Sequence, residues 1–138
     1  MPSKRNRKKE LSSRQRRDLD IEIGFVEGVV RRDPGYVEAL QVLAENYTLR
    51  GRYTESLGAD VQLSRLLPDD ALVRYNLACS YSLAGRIEDA VRAIHKALDL
   101  GYRDFRWISR DPDLAPIRKH PHYKELRSRI RTLKLEAH

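Results

Sequence analysis

The chain has 138 residues, of which 41% are hydrophobic and 34% charged, with a net charge of +7 and a single cysteine. That length suits one domain able to bury about two-thirds of its unfolded surface. One cysteine, Cys79, excludes an intrachain disulfide, and no apolar run approaches the roughly 20 residues that span a bilayer. The polybasic N-terminus lacks the apolar stretch of a secretory signal, so the expected address is cytoplasmic.

The basicity belongs to the ends. Residues 1–17 carry Lys4, Arg5, Arg7, Lys8, Lys9, Arg14, Arg16 and Arg17 against Glu10, while residues 18–117 are net acidic at −5 and residues 118–138 are at +5. With little apolar content beyond Leu11, residues 1–17 cannot offset the entropy of ordering and are expected to form a disordered or only transiently helical basic arm. A first helix is expected from about Asp18 to Arg32, with Leu19, Ile23, Val26, Val29 and Val30 as its apolar stripe. Asp33-Pro34-Gly35 ends it.

From there the chain repeats itself at a spacing of 34 residues. Pro34 maps to Pro68, Ala39 to Val73, Leu43 to Leu77, Ala44 to Ala78, Tyr47 to Tyr81, Gly51 to Gly85, Arg52 to Arg86, Glu55 to Asp89 and Leu63 to Ala97. The full repeats span residues 37–68 and 71–102, each a helix A, a glycine C-cap and a helix B. Residues 18–34 then read as half a unit. Such a pair cannot bury its apolar face alone and stacks on its neighbour, leaving a concave wall.

After Gly101 the period breaks. Phe105, Trp107 and Ile108 open a third helix A that Pro112 and Pro116 cut short. A helix from about Pro121 to Leu135 shows Tyr123, Leu126, Ile130 and Leu133 on one face and Lys and Arg on the other. Residues 103–138 are therefore a degenerate repeat and cap.

These positions resemble the tetratricopeptide repeat family, whose pattern is Trp-x2-Leu-Gly-x2-Tyr, then Ala-x3-Phe, then Ala and Pro. The first copy reads Leu40, Leu43, Ala44, Tyr47, Gly51, Tyr53, Ser56, Asp60, Leu63, Pro68; the second reads Arg74, Leu77, Ala78, Tyr81, Gly85, Ile87, Ala90, Ile94, Ala97, Tyr102. The segment from Leu100 through Asp111-Pro112-Asp113-Leu114 to Arg118 is similar to the closing segment of many bacterial repeat arrays. Asp60 and Arg74 depart from the pattern, standing where large apolar side chains are usual. The resemblance implies an all-α, right-handed helix-pair solenoid that binds protein and does not catalyse.

By the family's geometry the concave face is lined by Glu38, Gln41, Glu45 and Thr48, then Leu72, Tyr75, Cys79 and Ser82, with Asn76, Arg106, Ser109 and Arg110 beside them. An extended peptide or partner helix with an apolar anchor is the expected ligand. Some members clamp the carboxylate ends of chaperone tails. Asn76, Arg106 and Arg110 suit such a clamp, but Gln41 and Glu45 occupy the places of its first lysine and asparagine.

The arm is a solvated tail or a contact for RNA, DNA or ribosome, since Lys and Arg displace phosphate counterions. It has no interleaved aromatics for base stacking. Attraction to an anionic membrane face lacks an acylation motif or apolar anchor. Self-association through the last helix or an uncapped first helix is a further expectation. His95, His120, His122 and His138 stand in no catalytic order, and no glycine-rich phosphate loop or metal motif is present, so no enzyme activity, cofactor or metal is expected.

Overall fold

The computed structural model describes residues 10–137. Among them every regular element is helical: α1 Ser13–Arg32, α2 Val37–Leu49, α3 Tyr53–Leu66, α4 Ala71–Leu83, α5 Ile87–Asp99, α6 Phe105–Ile108, a 3-10 turn Pro112–Leu114, α7 Ala115–Arg118 and α8 Tyr123–Glu136. Short loops make α2/α3 and α4/α5 hairpins; α1 packs on α2, and α3 joins the hairpins by packing on α4.

The first helix starts at Ser13, not near Asp18, so the expectation of a disordered arm to residue 17 is corrected over its described part. Ser12 and Gln15 form a reciprocal capping box: the Gln15 amide donates to Ser12 Oγ at 3.1 Å and the Ser12 amide to Gln15 Oε1 at 2.8 Å. Those two bonds satisfy donors that would otherwise be orphaned at a helix start. Arg14, Arg16 and Arg17 are thus helical, and Arg16 reaches back to the Leu11 carbonyl at 2.9 Å. Lys4, Arg5, Arg7, Lys8 and Lys9 lie outside the described residues.

The 34-residue spacing recurs as geometry. Gly51 and Gly85 take φ of 80°, which only glycine adopts without strain. Past each, the next amide folds back into the helix, Arg52 to the Tyr47 carbonyl at 2.8 Å and Arg86 to the Tyr81 carbonyl at 2.8 Å. This is the left-handed C-cap motif that satisfies the last carbonyls. Each arginine then lies over its tyrosine ring, at 4.9 Å for Arg52–Tyr47 and 5.1 Å for Arg86–Tyr81. Each also pairs with an acid in the next helix, Glu55 or Asp89. The two hairpins therefore turn the same corner with the same residues.

Small residues set the approach of the helices. Ala44 and Ala78 are fully buried, and Ser56 Oγ donates to the Ala44 carbonyl at 3.0 Å while sharing a 2.6 Å bond with Thr48. Asp60, at a position where the repeat pattern calls for an apolar side chain, is buried and accepts the Ser80 hydroxyl, tying α3 to α4. The largest core cluster lies between α4, α5 and the closing segment, where Ile94, Leu98, Ile108, Leu114, Ile117 and Leu126 are sealed from solvent. Each such side chain contributes about 1.5–3 kcal/mol by burial. The third helix A is short: α6 is one turn, capped by Asp104, whose carboxylate accepts the Trp107 amide at 3.1 Å.

Candidate functional site

The row of helix A positions singled out in the sequence divides into an open half and a closed half. On α2, Glu38 and Gln41 are exposed and Glu45 is half-buried, with Val42 exposed between them. Thr48 is buried, its hydroxyl held by the Ala44 carbonyl and Ser56, so it is not available to a partner. On α4 only Leu72 is exposed, and Asn76 is half-buried. Tyr75, Cys79 and Ser82 are buried at 0%, 0% and 2% exposure, a correction to their expected place on an accessible groove.

The cause is the segment that follows α6. Asp111-Pro112-Asp113-Leu114 is seated on α4, and Asp111 is itself fully buried. Tyr75 Oη donates to Asp111 Oδ2 at 2.5 Å, and the Cys79 thiol points to the same oxygen at 3.5 Å. Asp111 Oδ1 accepts the Asp113 amide at 2.9 Å, which caps the 3-10 turn. Ser82 Oγ donates to the Asp113 carbonyl at 2.6 Å. Behind this latch the Tyr75 and Tyr102 rings stack with centroids 4.3 Å apart and planes 2° from parallel.

Burial, together with the Asp111 carboxylate beside it, drives the Tyr75 phenol far above its ordinary range, so it remains a donor. Cys79, Asp111 and Asp113 bring ligand-type atoms within 4.8 Å of one another. The Asp111 carboxylate, however, already accepts donors from Tyr75, Cys79 and the Asp113 backbone, which fits a structural latch. What the Asp111 carboxylate meets depends on α4, and no local signal in the sequence reports that.

A second concavity lies between α6 and α8, a cavity of about 220 Å³ lined by Phe105, Ser109, Tyr123, Arg127, Ile130, Arg131 and Lys134. Arg127, Arg131 and Lys134 fall one turn apart on one side of α8, and Lys134 Nζ lies 6.0 Å from the Phe105 ring centroid. Among the described residues none of the three cations is in an ion pair. Arg129, by contrast, is tied to Asp99 and to the His95 carbonyl at 3.1 Å. Arg106 and Arg110 are exposed on the same closing segment. The sequence predicts a basic outer face here but not the cavity, since α6 and α8 are separated by the latch and α7.

His122 is exposed and His120 half-buried, while His138 lies outside the described residues. His120 and His122 stack at 4.8 Å, and the His122 amide approaches His120 Nδ1 at 3.3 Å.

Fold and site together define an all-α protein of stacked helical hairpins, with one helix face open and its counterpart filled by the chain's own closing segment. No family model matches the chain. Over 83 residues it is 36% identical to a chloroplastic protein of Arabidopsis thaliana, a match that takes in 58% of the chain. The chain spans about a quarter of that protein's length, 25%. Among the described residues no helix is long and apolar enough to cross a membrane.

Proposed function

We propose that this chain is a tetratricopeptide-type helix-pair adaptor, which binds a peptide or helix of a partner protein along the helix A row of α2. The observation that carries the reading is the seat of Asp111–Asp113 on α4: Tyr75, Cys79 and Ser82 hold a peptide segment through its carboxylate and backbone carbonyl. In the 34-residue register their counterparts on α2 are Gln41, Glu45 and Thr48, and Gln41 and Val42 there are exposed. The chain thus fills the α4 row with its own segment and leaves Gln41 and Val42 of the α2 row open to a partner. Glu38 and Glu45 give that row a negative character, so a basic segment with an apolar anchor against Val42 and Leu72 suits it. Glu45 opposes a carboxylate-ended chaperone tail.

Affinity capture from native extract tests this. The wild-type protein retains a nuclease-resistant protein partner, and the Glu38→Lys/Glu45→Lys variant loses it. Retention of the same partners by the variant would remove α2 as the site.

A second reading, contact with RNA, DNA or ribosome, is favoured by the cations between α6 and α8. Arg127, Arg131 and Lys134 surround a cavity that also offers Phe105 and Tyr123. Phosphate contact with aromatic support is the chemistry of single-strand binding. Binding of this kind falls steeply with salt and weakens in an Arg127→Glu/Arg131→Glu variant, whereas capture through α2 changes little.

A further inference from the structure

We infer that a second copy of this chain docks on the outer face of α1, antiparallel and about a two-fold axis at Phe25. Ile21 and Phe25 are each 72% exposed, one helical turn apart, on the side of α1 turned away from α2. This is not ordinary surface scatter. In the 34-residue register Phe25 corresponds to Ala59 and Ala93, each 7% exposed and covered within its hairpin. Among the described residues α1 has no such covering helix before it.

The side chains also argue against a hairpin partner of the kind seen in the repeats. Close approach there needs alanine or serine, at Ala59 and Ala93 and at Ser56 and Ala90. On α1 the same positions are Phe25 and Glu22. A bulky ring and a carboxylate suit a wider, separately built interface.

The face is self-complementary. Asp18, Ile21, Phe25, Gly28 and Arg32 follow one another at alternating intervals of three and four, the spacing of a helix–helix seam. Asp18 and Arg32 stand seven residues either side of Phe25. A two-fold axis at Phe25 therefore sets Asp18 opposite Arg32 of the copy at both ends of the seam. Among the described residues neither group has an ion pair, whereas neighbouring Asp20 is held by Arg50 at 2.8 Å. The same symmetry sets Ile21 opposite Val29 of the copy, beside the notch at Gly28, where an added Cβ would meet nothing closer than the Arg31 side chain at 3.8 Å. A parallel arrangement would align like charges, which disfavours it. One helix per copy buries less than about 1,200 Å² in total, so the dimer is weak and concentration-dependent.

Sedimentation equilibrium of the full chain, from about 5 to about 500 µM, reads the association directly. The wild type gains dimer as concentration rises. Phe25→Lys and Asp18→Arg each weaken association at least about tenfold, a change of about 1.4 kcal/mol. Because Phe25 and Asp18 lie outside the core, circular dichroism of both variants stays that of the wild type. The charge exchange Asp18→Arg/Arg32→Asp recovers the wild-type dimer. A wild type that stays monomeric throughout overturns the inference, as does a dimer indifferent to Phe25→Lys or a charge exchange that fails to restore it.

Discussion

Tyr75 and Asp111, separated by 36 residues, meet in a buried 2.5 Å hydrogen bond that fixes the closing segment against α4. The bond decides what the helix A row can do, because it converts half of an interaction surface into core. Removing the carboxylate strands donors on Tyr75 and on the Asp113 backbone. Asp111→Ala is therefore expected to cost about 3 kcal/mol, and Tyr75→Phe about 1–2 kcal/mol, in urea unfolding. Loss of the carboxylate also uncovers Cys79: its labelling by a thiol reagent, slow in the wild-type fold, speeds up in Asp111→Ala. Equal labelling rates would show that the latch does not guard α4.

The repeated corners give a second expectation. Gly51 and Gly85 sit at φ of 80°, where a Cβ crowds the following carbonyl although the surrounding space is open. Gly51→Ala and Gly85→Ala should each destabilise by about 1–2 kcal/mol, through backbone strain alone. Denaturant midpoints measure it, and a loss confined to one corner would break the equivalence of the two hairpins.

Stability should also fall in mild acid through His95. Burial, aided by the Arg129 guanidinium and opposed by Asp99 and Glu125, lowers its pKa below the ordinary 6.5. Its Nδ1 lies 3.0 Å from Arg129 Nη1, which fits a neutral ring accepting that donor. The folded chain then binds fewer protons here than the unfolded one as pH drops below about 6.5, so folding weakens over that range and the effect vanishes above it. Melting temperatures from pH 5 to 7.5 should show the slope, and His95→Gln should flatten it.

Much of the architecture is legible in residue spacing. Helices α2 to α5 follow from apolar periodicity between Pro34 and Tyr102, and the glycines at 51 and 85 mark the corners because no other residue fits them cheaply. The start of α1 is written in Ser12-x-x-Gln15, but the charge of residues 14–17 masks that signal. The site is less legible. Burial of Tyr75, Cys79 and Ser82 depends on the distant Asp111–Asp113 segment, and spacing along one helix carries no information about what covers it. Asp60 looks like a packing defect in the repeat pattern because its partner, Ser80, lies on a different helix.

Site-specific photo-crosslinking tests the α2 reading most directly. A crosslinking residue replaces Val42 in one protein and Arg127 in another, and both are irradiated in native extract with and without nuclease. A nuclease-resistant protein adduct is expected from position 42, and Glu38→Lys/Glu45→Lys abolishes it. Adducts formed only from position 127, and lost on nuclease treatment, would contradict the α2 reading and move the function to the basic closing segment.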